Sequence, residues 1–129
     1  MNNFTKEYIE LCKCKEVQEL RPKLKHGDWY FLKAIISGVE DEPRDGEALL
    51  YGFTYLRDRE NIIWLPTGDQ LDEEIIKICT GKEWDYYFIY DWNPEKYYSE
   101  IKQNYRVVYS YNDTNPLIAR LKLLLQLMQ

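Results

Sequence analysis

A chain of 129 residues with 45% hydrophobic side chains is long enough to bury roughly two-thirds of the surface its unfolded form exposes, which excludes disorder and any need for a metal or disulfide to hold it together. No apolar run approaches the ~20 residues of a membrane span, and Met1 to Lys15 is charged throughout without a signal-peptide core, so one cytoplasmic domain with three free thiols is expected. The net charge of −5 is uneven, with 6 basic and 16 acidic side chains in residues 37–100; this disfavours nucleic-acid phosphates and suits a basic protein partner or a soluble surface.

Phe4, Tyr8, Leu11 and Cys12 predict a first helix with Thr5 near its start, and Val17 with Leu20 a short second helical turn ending before Pro22. Asp28 to Ile36 carries apolar side chains on both faces and reads as a strand that is central or covered on both sides. Ser37 to Glu47 reads as an acidic loop, Ala48 to Leu56 as a return strand, Arg57 to Glu60 as a charged turn and Asn61 to Leu65 as a third strand. A three-stranded meander is the simplest assembly.

The segment from Trp64 to Leu71 turns at Pro66 into an acidic amphipathic helix. Thr67 and Gln70 have the spacing of a capping box, and Pro66 can pack on Leu71 as a staple. Asp69, Asp72, Glu73 and Glu74 suit the positive end of the helix dipole. Leu71, Ile75, Ile76, Ile78 and Cys79 form the apolar stripe, with Gly81 as the expected left-handed terminator, so the helix runs from about Gly68 to Thr80.

Beyond Gly81, Trp84, Tyr86, Phe88, Tyr90 and Trp92 alternate and place five rings on one face of a fourth strand. Asn93-Pro94 resembles a helix start, so Glu95 to Gln103 is expected to be a short helix, followed by a fifth strand with Tyr105, Val107, Tyr109 and Tyr111 alternating. A helix packed over these rings would make them core; an aromatic pocket or a protein interface are the alternatives. Asn115 and Pro116 then open the clearest amphipathic helix. Leu123 and Leu127 fall outside its main stripe, which predicts a second contact, with the first helix or with another copy of the chain as a homodimer.

No catalytic constellation stands out. His26 has no serine or cysteine partner set, and no glycine-rich loop cradles a phosphate. Cys12-x-Cys14, with only Cys79 and His26 to complete it, departs from the spacing of zinc sites. No cofactor, metal, nucleic acid or membrane is therefore expected.

Gly27-Asp28-Trp29, Ile63-Trp64-Leu65-Pro66-Thr67-x-Asp69-Gln70-Leu71, the aromatic strand pair and Asn115-Pro116-Leu117-Ile118-Ala119-x-Leu121 together resemble small uncharacterised proteins encoded by phages and prophages of bacteria. The resemblance implies a genomic context and brings no catalytic residues.

The pattern as a whole predicts an α+β fold, a mostly antiparallel sheet of about five strands packed by the two longer helices with the N-terminal helix at an edge. The expected function is that of a non-enzymatic accessory protein, one that binds and inhibits a host or phage protein; the alternative is a small nucleotide-like ligand held by aromatic rings. Trp64, Gly68, Asp69, Trp84, Tyr86, Tyr90 and Trp92 are the candidate surface, with Trp84, Tyr86 and Tyr90 lining the pocket in the alternative.

Overall fold

In a computed structural model the described residues are 4–20, 28–32, 35–36, 39–40, 49–50 and 62–129. They form an α+β fold and divide into two compact units, Met1–Pro66 and Thr67–Gln129. Among the described residues, no helix is long and apolar enough to cross a membrane.

In the first unit, α1 (Lys6–Cys12) starts where the Thr5 side chain accepts the Tyr8 N–H, and α2 (Lys15–Glu19) follows at once. Three strands form one sheet: β1 (Trp29–Leu32) lies between β4 (Leu49–Leu50) and β5 (Ile62–Leu65), antiparallel to both. A separate ladder pairs β2 (Ile35–Ile36) with β3 (Val39–Glu40). The expected central position of the Trp29 strand is therefore correct, but the expected meander is not. The first strand, not the second, sits in the middle, because β5 returns to its free side. Val39–Glu40, read from the sequence as loop, is strand. The remaining expectations for residues 41–48 and 51–61 fall outside the described residues, as does His26.

Four consecutive buried residues make β5 apolar on both faces. Tyr8, fully buried, donates its hydroxyl to the Pro66 carbonyl at 2.6 Å, which lets a large ring enter the core without stranding its polar tip. The outer edge of β5 is closed by a side chain: the Gln18 amide accepts from the Trp64 N–H (2.9 Å) and donates to the Trp64 carbonyl (3.0 Å). It thus supplies both backbone hydrogen bonds that a neighbouring strand would make there.

In the second unit, α3 (Gly68–Thr80) begins with the predicted capping box, Gln70 N–H to Thr67 Oγ1 at 3.3 Å and Thr67 N–H to Gln70 Oε1 at 2.9 Å. Leu71, Ile75 and Cys79 are its buried stripe, while Ile76 is 50% exposed. Gly81 is right-handed (φ −79°), and the left-handed residue after the helix is Glu83 (φ 55°). Gly81 is thus the residue that caps the helix, as expected, but the left-handed conformation falls two positions later.

Three antiparallel strands follow in sequence order, β6 (Asp85–Trp92), β7 (Glu95–Gln103) and β8 (Arg106–Asp113). Glu95 to Gln103 is a strand, not the helix expected from Asn93-Pro94. These two residues form a tight hairpin turn, and the eight-pair ladder from Asp85↔Lys102 to Trp92↔Glu95 carries the alternation of β6 straight into β7. Asn104 and Tyr105 form the second turn, both with positive φ (51° and 66°), as a two-residue turn matched to strand twist requires. A register shift opposite Ile101/Lys102 moves Val107 onto the face of Lys102, while Tyr109 pairs with Ile101. The expected single-face series Tyr105, Val107, Tyr109, Tyr111 is therefore broken by a bulge.

The last helix, α4 (Pro116–Leu127), is capped by the Asn115 side chain, which accepts from the Leu117 and Ile118 N–H groups at 2.8 and 3.3 Å. It packs on β7, β8 and α3. Leu117, Ile118, Leu121 and Leu124 are buried as the stripe predicts, but so is Leu123, completely; Leu127 is half-buried. Of the two leucines expected to make a second contact, with the first helix or with another copy, Leu123 is sealed within the chain itself and Leu127 is partly covered.

Candidate functional site

One face of the β6–β8 sheet carries the helices. Ser99 donates to the Ala119 carbonyl and Tyr111 to Gln126, both from strands to α4. On β6 the same face presents Tyr86, Phe88, Tyr90 and Trp92 in turn, since side chains alternate along a strand.

Arg120 organises the inner part of this row. Its guanidinium lies 3.6 Å from the Phe88 ring centroid, its Nε donates to Asp72 Oδ1 at 2.9 Å, and its Nη1 donates to the Pro116 carbonyl at 3.3 Å. Asp72 Oδ1 also accepts the Tyr86 hydroxyl at 2.7 Å. The phenol of Tyr86 is pushed up, first by burial and then by the hydrogen bond and charge of Asp72, with Arg120 working against both. A Cβ on Gly68 would stand 3.1 Å from Arg120 Nη1 and 3.2 Å from its central carbon. The glycine is what lets the first turn of α3 close over the guanidinium.

The length of α3 then decides where the row emerges. Asp72 reaches Tyr86, and Gly68, one turn earlier, sits against the cation above Phe88. The helix starts there, so Tyr90 and Trp92 continue past its end and are 50% and 76% exposed. Tyr90 is held in place: Phe88 stacks on Tyr97 with ring centroids 5.7 Å apart, and Tyr97 meets Tyr90 at 4.8 Å. A continuous ladder therefore runs from the Arg120 cation through Phe88 and Tyr97 to Tyr90, and Trp92 stands beyond it at the hairpin tip. Opposite Trp92 stands Glu95, and Asp91 adjoins it. Neither carboxylate forms an ion pair among the described residues. The Tyr90 phenol is pushed up, by desolvation within the ladder first and then by Glu95, Tyr97 and Asp91.

The sequence-based candidates distribute as follows. Tyr86, Tyr90 and Trp92 share one face, but only the last two are open to a partner. Trp84 lies just before β6, edge-on to Tyr109 at 6.0 Å and beneath Lys82 at 4.7 Å. With Trp84 on Tyr109, Tyr86 on Asp72 and Tyr90 on Tyr97, the three rings expected to line a ligand pocket are each engaged with a different neighbour. Gly68 makes room for Arg120, and Asp69 is exposed on the first turn of α3. Trp64, in the first unit, is 3% exposed; its indole N–H is buried and meets no acceptor among the described residues. It is core, not surface.

Sequence reasoning missed Arg120, Tyr97, Glu95 and Gln18. A usable signal existed only for Arg120, a lone cation inside the run Leu117, Ile118, Ala119, Leu121. Among the described residues, no three His, Cys, Asp or Glu side chains stand close enough to hold a metal ion. The chain matches no family model, no curated protein and no solved structure.

Proposed function

We propose that the chain is a non-enzymatic protein-binding module, an accessory protein of the phage or prophage kind, that engages its partner through the outer end of the β6–β7 hairpin. The observation that carries this reading is the exposed continuation of the aromatic ladder beyond α3, with Trp92 at 76% and Tyr90 at 50% exposure. Aromatic side chains concentrate at protein interfaces because they offer large contact area with little entropy to lose. Tyr90 is already held against the Tyr97 ring, so a partner need not immobilise it. The accessory role rests on the Trp64 to Leu71 motif and the resemblance it carries.

The test is a comparison of two captures from the cells that carry the gene, one with the tagged native chain and one with Trp92→Ala/Tyr90→Ala. A protein retained by the native chain and lost by the double variant, with unchanged circular dichroism, supports the reading. Identical captures, or none, overturn it.

A further inference from the structure

We infer that the outer end of the β6–β7 hairpin recognises a cation, and that its occupant is an arginine-bearing basic segment of a partner protein. This rests on the protein-binding reading above and names the chemistry of the partner.

The ladder already binds one guanidinium. Arg120 lies 3.6 Å over Phe88 at the inner end, where Asp72 balances its charge. The outer end repeats the same ingredients without the cation. Tyr90 and Trp92 offer ring faces whose quadrupoles are negative. Glu95 is directly opposite Trp92, which places carboxylate and indole about 5 Å apart at their Cβ atoms. Asp91, next to Trp92 on the strand, lies on the opposite face, where its Oδ1 accepts the Asn93 N–H at 3.1 Å, so Glu95 is the carboxylate of the ring face. Lys96 pairs with Asp91 in the ladder and so stands on the opposite face from Trp92. Among the described residues, no cation stacks on Tyr90 or Trp92.

Ring faces and the Glu95 carboxylate act in the same direction here. Both favour positive charge and both repel a phosphate or an acidic peptide. A guanidinium fits better than an ammonium because it is planar, weakly hydrated and able to stack on a ring while donating in its own plane to a carboxylate.

The experiment titrates the full-length chain, at about physiological ionic strength, with a peptide of alternating glycine and arginine, read by amide chemical shifts. The expected result is saturable binding with shifts clustered at residues 90–97. Trp92→Ala should weaken it by about 5- to 30-fold and Glu95→Gln by about 2- to 5-fold, both variants keeping the native spectrum elsewhere. A glycine–glutamate peptide should produce no shifts there. Absence of binding, shifts spread over other acidic surfaces, or binding by both variants as tight as by the native chain overturns the inference. If the arginine peptide fails while the capture above still depends on Trp92 and Tyr90, the cation chemistry falls and the protein-binding reading stands; if both fail, both fall.

Discussion

The guanidinium of Arg120 lies against Gly68 so closely, 3.1 Å from the ideal Cβ position, that a side chain at position 68 would push it back by a few tenths of an ångström. Helix propensity alone favours alanine over glycine, by up to ~1 kcal/mol in a helix interior. The contact reverses the sign, because Arg120 is held by Asp72, by the Pro116 carbonyl and by the Phe88 ring and has little freedom to withdraw. Gly68→Ala should cost about 1 kcal/mol, and Arg120→Ala about 2 kcal/mol through the orphaned Asp72 and lost packing. In the Arg120→Ala background, Gly68→Ala should become neutral or stabilising. Urea denaturation of the four proteins checks this; additive effects would show that the two residues do not compete for space.

Tyr86 reports on the same cluster from the other side. Burial raises its phenol, and Asp72 adds a hydrogen bond and a charge. Asp72→Asn removes the charge and leaves Arg120 unbalanced, so one tyrosine should titrate at lower pH than in the native chain. Ultraviolet titration of the ionising phenols measures it. An unchanged curve would mean that burial alone sets the value.

Gln18 closes the edge of β5 with an amide that both donates and accepts, and its Nε2 also reaches the Cys12 carbonyl at 2.6 Å. Gln18→Ala should cost about 2 kcal/mol, the sum of these modest bonds. Gln18→Glu should cost more at neutral pH, since a carboxylate cannot donate to two carbonyl oxygens. Its folded-state pKa is thereby raised, so the lost stability returns as pH falls below the ordinary glutamate value and fades as pH rises through the folded one. Denaturation midpoints at about pH 4 and pH 7 distinguish the two variants.

Cys12 is fully buried, and burial pushes its thiol from 9.0 up to about 12, with a Tyr8 hydrogen bond opposing and Cys14 adding to the rise. A group raised in the folded state contributes stability that is complete below its unfolded value. That contribution should therefore decline between about pH 9 and pH 12, at up to ~1.4 kcal/mol per pH unit. Cys79 is also raised, by burial, then by Asp85, with Lys82 opposing. A thiol reagent at about pH 8 should modify half-buried Cys14 first and reach the other two only on unfolding; rapid modification of Cys12 would contradict its burial.

Tyr105 is 99% exposed yet holds a φ of 66°. The left-handed conformation costs an ordinary residue about 1–2 kcal/mol, and glycine gives back roughly 0.5–1 kcal/mol of it in unfolded-state entropy. With no packing to lose, Tyr105→Gly should stabilise the chain by about 0.5–1 kcal/mol, seen as a raised melting temperature.

By itself the sequence determined what one element's own residues decide: the capping box of Thr67 and Gln70, the apolar stripe of α3 in its Leu71, Ile75 and Cys79 positions though not at exposed Ile76, the Asn115-Pro116 start and the ring alternation of β6. These depend on spacings within a few residues, where helix and strand periods are legible. The α+β class follows from them. Only the tertiary structure decided the rest, because it depends on partners far apart in the chain. Asn93-Pro94 can open a helix or turn a hairpin, and the ladder to β6 selected the hairpin. Trp64, the most recognisable residue of its motif, went to the core, with its backbone paired to a glutamine 46 positions away. Gly68 became a seat for Arg120. Above all, no periodicity could show that a five-ring row divides at Phe88, since that boundary is set by where α3 begins to cover β6. Inside it Phe88 and Asp72 hold a cation from the chain's own last helix, and outside it Tyr90 and Trp92 stand open.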